Sequence, residues 1–108
     1  MSSINPKTGE IWKVDVGQAG KPRWFIVVSR ANPSASLNLS LAVPITTKYR
    51  NTPYEVALGR LPFVGEECFA NTQGLVALAW EDFQTCDGRL AMLLQEQIRL
   101  ALRFALQL

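Results

Sequence analysis

The stretch of sequence that decides the fold is RWFIVVS, residues 23–29. It is almost continuously apolar and rich in β-branched and aromatic residues, a composition that favours a strand covered on both faces. A loop-forming segment, GQAGKP at residues 17–22, precedes it, and Asn32-Pro33-Ser34 interrupts the chain soon after it. We therefore predict a central strand at residues 23–29, with a sheet extending outward from it.

Shorter stretches on either side predict the neighbouring strands. EIWKVDV at residues 10–16 places Trp12, Val14 and Val16 on one face, and residues 37–45 alternate apolar with small or polar side chains. Three further segments have the pattern of short strands: residues 54–58, 67–71 and 74–79. The spacing of these segments and the turn residues between them indicate an antiparallel, mostly β architecture.

The C-terminal segment has the pattern of an amphipathic helix. Apolar side chains recur there at intervals of three and four residues, while Arg99 and Arg103 lie four apart and off the apolar face. We predict a helix over residues 94–107 and a helical turn at 81–83; residues 89–93 fit either a last strand or the beginning of the helix. Short strands closed by one helix predict a mostly β fold, a small barrel with helical cover.

Length, composition and cysteine content limit the class of protein. The 108 residues predict a single domain over 1–108, and 48% hydrophobic with 19% charged residues is a globular balance. The net charge of +2 does not by itself demand a nucleic acid, although a local basic patch fits within it. With no secretory signal, we expect a cytoplasmic protein in which Cys68 and Cys86 are buried, reduced thiols. The sequence alone does not exclude a disulfide between these two cysteines. No apolar run is long enough to predict a transmembrane helix.

The chain contains no histidine, and this absence restricts the chemistry most. It removes histidine general acid–base catalysis, Ser-His and Cys-His nucleophile pairs, and most zinc sites. Two distant cysteines without histidine make a poor metal site. An enzyme with this sequence must therefore work with arginine, lysine, hydroxyl, amide or carboxylate groups, and we expect no metal or other cofactor.

Five stretches of the sequence occur in an order that is typical of one family. They are GEIWKVD, RWFIVVS, VPITT, PYEVAL and QGLVALAW, at residues 9–15, 23–29, 43–47, 53–58 and 73–80. Together they resemble the MazF/PemK (Kid) family of endoribonuclease toxins of type II toxin–antitoxin systems. The resemblance implies a small SH3-like barrel of the CcdB/Kid/MazF type that forms a homodimer. It also implies metal-independent, sequence-specific cleavage of single-stranded RNA such as mRNA, with a 2′,3′-cyclic phosphate product. The partner that the resemblance implies is a cognate antitoxin, which masks the RNA-binding groove of the toxin.

The resemblance also implies which residues act. In the family, an arginine at the start of the second strand and a threonine at the end of the third carry the chemistry; these positions are Arg23 and Thr46 here. A guanidinium suits the negative charge that develops on phosphoryl oxygens, and a threonine hydroxyl can hydrogen-bond such an oxygen or help to move the 2′-hydroxyl proton. The residues that we predict to bind RNA are Lys21, Thr47, Lys48 and Gln73.

Some positions depart from the family pattern and keep other functions open. The loop at residues 17–22 is shorter than in the family, and TQGL at 72–75 retains only Gln73 of the family motif. Ala70 and Thr72 occupy the positions of a catalytic Arg and Asp in one branch of the family. The alternatives are a non-catalytic interaction module on the same fold and, ranked lower, a CcdB-like gyrase poison, because the chain ends in FALQL without the Trp-Gly-aliphatic tripeptide.

The candidate residues also have ordinary structural explanations. Arg23 could form a strand-end ion pair with Asp15 or Glu10, and Thr46 could simply be a β-branched strand residue. Trp24 could stack on a base, although its place in an apolar stretch favours the core. The other two tryptophans are assigned to the core or to a dimer contact: Trp12 and Trp80. Lys21, Lys48 and Arg50 could form a phosphate-binding rim, with ordinary solvated charge favoured for Arg50. The functional hypothesis predicts that Arg23 and Thr46 lie close together, within the reach of one phosphate, and side chains on opposite sides of the barrel would contradict it.

Overall fold

The computed structural model describes residues 4–17, 22–31 and 37–108. Its regular elements in these ranges are, in chain order, strands β1 (Glu10–Val14), β2 (Arg23–Val27), β3 (Leu39–Thr46), β4 (Glu55–Leu61), β5 (Glu66–Asn71), β6 (Val76–Ala79) and β7 (Phe83–Arg89), then helix α1 (Met92–Leu106). Two short 3-10 turns, Thr72–Gly74 and Trp80–Asp82, lie before and after β6.

All the strand pairs are antiparallel, and together they form one curled sheet. The order across the sheet is β4-β5-β3-β2-β1-β7, and β6 also pairs with β3. The apolar stretch from Arg23 therefore forms a central strand, β2, as predicted, and β2 pairs with β1 on one side and with β3 on the other. A mostly β half-barrel with one C-terminal helix confirms the predicted fold class.

The alternation of side chains along β2 divides the interior into two apolar clusters, one on each face of the sheet. Trp24 and Ile26 belong to the helix-side cluster, which α1 covers with the buried Ile98. Phe25 and Val27 belong to the opposite cluster, whose other buried members come from β1, β3, β6 and β7. Each fully buried side chain of this size stabilises the fold by about 1.5–3 kcal/mol, so β2 anchors both halves of the interior.

Helix α1 confirms the predicted C-terminal helix, although it begins two residues earlier than expected. Ile98 and Ala101 are its buried residues. The helix ends at Gln107, which adopts the left-handed conformation with φ of 59° while its backbone N–H donates back to the carbonyls of Arg103 and Phe104. In the described part of the chain, no helix has the length and apolarity needed to cross a membrane.

Two features of β7 differ from the expectations. Residues 84–88 gave no strand signal, yet β7 runs from Phe83 to Arg89 and pairs with β1 at the sheet's edge. Most of its side chains face solvent, so the strand lacks the alternation that identifies a half-buried strand. The predicted buried thiol at Cys86 is consequently wrong: Cys86 is exposed, Cys68 is buried, and both are free thiols. Burial raises the pKa of the Cys68 thiol.

Candidate active site

An open groove with a volume of about 760 Å³ lies beside the start of β2. Its lining is mostly apolar and includes Phe25, Pro44 and Leu78, which come from three different strands. The charged side chains among the described lining residues are Asp15, Arg23 and Asp82. A groove with an apolar floor and a guanidinium at its margin can receive a ligand that combines flat apolar groups with negative charge.

Arg23 begins β2, is exposed, and lies opposite Val14 of β1. The two carboxylates suggested as its ion-pair partners are engaged elsewhere. Asp15 Oδ1 accepts a hydrogen bond from the backbone N–H of Gly17 (2.8 Å), and Glu10 Oε1 accepts from the Trp12 indole N–H (3.0 Å). Across the described ranges, Arg23 takes part in no ion pair. Its guanidinium donors are therefore available to an anion in the groove.

Arg23 and Thr46 lie on the two paired strands β2 and β3, beyond the residues that pair. The register of β2 with β3 ends at Phe25 opposite Pro44, and Thr46 pairs instead with Phe69 of β5. Because side chains alternate along a strand, Arg23 shares a face of β2 with Phe25, and Thr46 shares a face of β3 with Pro44. Arg23 lines the groove, and Thr46 is not among its described lining residues.

The hydroxyl of Thr46 already accepts one hydrogen bond. The backbone N–H of Lys48 donates to Thr46 Oγ1 over 3.1 Å. A hydroxyl has one donor proton in addition to its acceptor lone pairs. With the oxygen fixed by Lys48, the proton of Thr46 can be directed at a phosphoryl oxygen.

The 3-10 turn Thr72–Gly74 packs against the end of β3 and brings Gln73 to this region. The Asn71 carboxamide oxygen accepts the Gln73 backbone N–H (3.0 Å), and the Gln73 side chain is exposed. Gly74 lies so close to Pro44 that an added Cβ would stand 2.6 Å from the Pro44 Cγ. Thr72, by contrast, is buried, and its hydroxyl donates to the Tyr54 carbonyl (2.7 Å), so its role is structural.

The basic segment after β3 is held by a carboxylate that sequence reasoning did not single out. Thr47 and Lys48 are exposed. Farther along, the Glu55 carboxylate accepts the backbone N–H groups of Arg50 (3.2 and 3.1 Å) and Thr52 (3.0 Å). Burial acts to raise the pKa of Glu55, but these hydrogen bonds, the Thr52 hydroxyl and the Arg50 charge outweigh it and lower the pKa. Lys21 lies outside the described residues.

Trp24 faces away from the groove, on the opposite side of β2 from Arg23. It packs against the helix-side cluster, its ring lies 5.5 Å from that of Phe63, and its indole N–H donates to Asp87 Oδ2 over 2.7 Å. Trp12 and Trp80 pack against the other cluster. The core assignment of Trp24 therefore agrees with the structure, and the groove contains no tryptophan among its described lining residues.

The sequence profile of PemK-like, MazF-like toxins of type II toxin–antitoxin systems matches residues 7–106. The chain belongs to this family. Membership of the MazF-like toxins favours the ribonuclease toxin over the gyrase poison and the non-catalytic module. No curated protein sequence matches the chain.

Solved structures of other MazF-like toxins share the fold. An endoribonuclease in complex with its cognate antitoxin from a mycobacterial species has a TM-score of 0.81 at 23% identity, with 95% of this chain and 96% of that chain covered. A MazE–MazF structure from Deinococcus radiodurans has a TM-score of 0.77 at 19% identity, covering 96% and 97%. The Mycobacterium tuberculosis toxin MazF-mt6 has a TM-score of 0.75 at 20% identity, covering 92% and 97%.

Proposed function

We propose that this protein is an endoribonuclease toxin that cuts single-stranded RNA, mRNA in particular, at specific sequences. The observation that carries the proposal is the Arg23 guanidinium, which is unpaired by any described carboxylate and lies at an apolar groove, on the strand that pairs with the Thr46 strand. Membership of the MazF-like toxin family supports the same conclusion.

The reaction uses the RNA's own 2′-hydroxyl as the nucleophile. Its oxygen forms a bond to the adjacent phosphorus while the bond from phosphorus to the 5′-oxygen breaks. The 2′-hydroxyl loses its proton and the departing 5′-oxygen gains one, which leaves a 2′,3′-cyclic phosphate and a 5′-hydroxyl. Negative charge accumulates on the phosphoryl oxygens, where the planar donors of Arg23 and the proton of Thr46 stabilise it. The chemistry requires no metal or other cofactor.

Residues around this pair hold the RNA strand on both sides of the cut phosphate. Lys48 follows the catalytic threonine in an exposed segment and supplies positive charge toward the backbone. Thr47 and Gln73 add hydrogen-bonding groups at the same end of β3, and Lys21 precedes Arg23 in the chain. In this arrangement the phosphate backbone runs along the end of β3 and the bases enter the groove.

The first experiment compares cleavage of a long single-stranded RNA by wild type, Arg23→Ala and Arg23→Lys. We expect Arg23→Ala to reduce the rate by about 10²–10³-fold, the typical effect of removing one preorganised donor to a developing oxyanion. Arg23→Lys keeps the charge but loses the two-pronged geometry, so it should recover only part of the rate. Activity should persist with a chelator, and the upstream fragments should end in a cyclic phosphate.

Arg60→Ala provides the matched control, because Arg60 is an exposed arginine of β4 outside the groove. It should cleave like wild type. Absence of cleavage by folded wild-type protein, or equal cleavage by wild type and Arg23→Ala, would refute the proposal.

We also propose a cognate antitoxin and a second copy of the chain as partners. Two of the similar structures are complexes of a toxin with its antitoxin, and an exposed apolar stripe along α1, which includes Leu93, Leu100 and Phe104, supports self-association. The antitoxin would block RNA from the groove, and mRNA as substrate places the protein in the cytoplasm. Light scattering of the purified toxin measures the dimer, and titration with the antitoxin during the cleavage assay measures inhibition.

A further inference from the structure

Asp82 is a carboxylate in the groove that we propose to bind RNA. It lines the same cavity as Arg23. A carboxylate repels a phosphate at short range, so its position is unfavourable for an RNA strand unless it meets hydrogen-bond donors. In RNA those donors are the 2′-hydroxyls and the N–H groups of the bases.

The chain holds Asp82 firmly in place. It ends the 3-10 turn Trp80–Asp82, and its carbonyl accepts the backbone N–H of Asp15 over 2.9 Å. The turn is fixed on its other side by the Trp80 indole N–H, which donates to the buried Ser40 hydroxyl over 2.9 Å. The residue that follows, Phe83, is buried in the cluster beneath the groove. The backbone at Asp82 is therefore fixed by the fold, which sets the position from which its side chain can meet a ligand.

The other carboxylate of the groove has a different role. Asp15 accepts the N–H of Gly17 and so closes the turn after β1. Within the described ranges, the Asp82 carboxylate accepts no hydrogen bond from the chain. The exposed Asp82 is therefore the better placed of the two to receive a donor from a ligand.

The chemistry of the bases selects one of them. A carboxylate presents two acceptor oxygens side by side. On its Watson–Crick edge, guanine offers two adjacent donors, N1–H and N2–H, that point in one direction. Adenine and cytosine each place an acceptor beside their amino group, and uracil flanks its single N–H with carbonyls. Only guanine can therefore fill both acceptor positions of a carboxylate from this edge.

From this match we infer that Asp82 reads a guanine next to the phosphate bound by Arg23, and so sets part of the cleavage sequence. The inference rests on the proposed RNA-cleaving function. The base lies on the apolar floor that Pro44 and Val76 help to form, with its sugar-phosphate side toward Arg23 and its Watson–Crick edge toward Asp82. Asp82 is a specificity residue in this arrangement and takes no part in proton transfer.

The test maps cleavage sites in a randomised single-stranded RNA pool for wild type, Asp82→Asn and the neighbouring control Glu81→Gln. Glu81 is also exposed and is not among the described residues that line the groove, so Glu81→Gln removes one negative charge beside the groove without altering its lining. Wild type and Glu81→Gln should require guanine at one position by roughly 5- to 150-fold, the range of a good bidentate base contact. Asp82→Asn should lose this preference for guanine and should still cleave the sequence that wild type cleaves best.

A second measurement separates recognition from cleavage. Binding of an uncleavable oligonucleotide with a 2′-deoxy group at the cut site is compared with that of its inosine analogue, which lacks the N2 amino group. Wild type should favour guanine, and Asp82→Asn should bind both alike.

The outcomes distinguish the two hypotheses. Cleavage by wild type without a guanine requirement, or a guanine requirement that survives in Asp82→Asn, overturns the role of Asp82 and leaves the ribonuclease intact. Loss of cleavage at every sequence in Asp82→Asn would make it a catalytic group and also overturns the inference. If wild type cuts no RNA, the proposed function fails, and equal binding of guanine and inosine then rejects the recognition as well.

Discussion

At Thr46, one hydroxyl combines a structural and a proposed chemical role. Its oxygen receives the Lys48 backbone N–H and so fixes the direction in which the chain leaves β3. Its proton remains to be donated toward the phosphate. Lys48 is exposed, so its backbone N–H can hydrogen-bond water instead. Loss of its bond to Thr46 should therefore cost only about 1 kcal/mol of stability, whereas loss of the proposed bond from Thr46 to the phosphate should lower the cleavage rate.

Substitutions at Thr46 separate these two roles. Thr46→Val keeps the β-branched shape that suits a strand and removes the hydroxyl, so we expect a fall in cleavage rate of about 10²-fold or more, with a loss of only about 1 kcal/mol of stability in urea unfolding. Thr46→Ser keeps the hydroxyl and should retain most of the activity. Equal cleavage by Thr46→Val and wild type would remove Thr46 from the mechanism.

Among the elements, the turn between β3 and β4 depends on one ionised group. Glu55 holds the backbone of Arg50 and Thr52, and its pKa is lowered because those hydrogen bonds and the nearby charge outweigh the effect of burial. A carboxyl with a lower pKa in the folded than in the unfolded state stabilises the fold above the unfolded pKa. That stabilisation is lost as the pH falls through the folded pKa.

A pH series with Glu55→Gln tests this turn. The variant should be less stable than wild type to urea at neutral pH, and the difference should shrink as the solution is acidified through the carboxyl range, because wild type then loses its own charge. Glu67→Gln, at an exposed position of the adjacent strand β5, should show no such convergence. A stability difference that stayed constant with pH would argue against the charge of Glu55.

The elements also show which parts of the fold the sequence reveals. The apolar stretch at β2 was recognisable because both of its faces are covered, and α1 because its buried side chains recur with the helical period. Strand β7 was not, since most of its side chains are exposed and its pattern is polar. Neighbouring structure, rather than local pattern, forms this strand.

The candidate site shows the same limit. Arg23 and Thr46 were named from motifs, but the neighbours of each depend on how β2 and β3 pair, which no local pattern specifies. Asp82 was not identified at all, because it reaches the groove through the pairing of β6 with β3 and the turn that follows.

Over the whole molecule, the net charge of +2 is weak, so RNA binding should depend on salt mainly through the number of phosphates that individual cations contact. For single-stranded nucleic acid, the logarithm of the binding constant falls by about 0.7 per phosphate contact for each unit in the logarithm of salt concentration. Arg23 is the cation among the described residues that line the groove, so it should account for one such contact.

Salt titrations of oligonucleotide binding measure this contribution. Arg23→Gln should reduce the slope by about 0.7 and weaken binding most at low salt. Arg60→Gln, which removes an exposed charge from β4, should leave the slope unchanged. If both variants changed the slope equally, general charge rather than the groove would govern RNA binding.

Pro44 stands where β3 changes neighbours along one edge. The last pair with β6 is Ala42 with Val76, and the first with β5 is Ile45 with Ala70. A residue without an N–H cannot continue a ladder, so the proline opposes the competing arrangement in which β3 would stay paired to β6. The same ring lies on the groove floor, against Gly74. A substitution of Pro44 would therefore alter both the strand pairing and the surface of the proposed RNA groove.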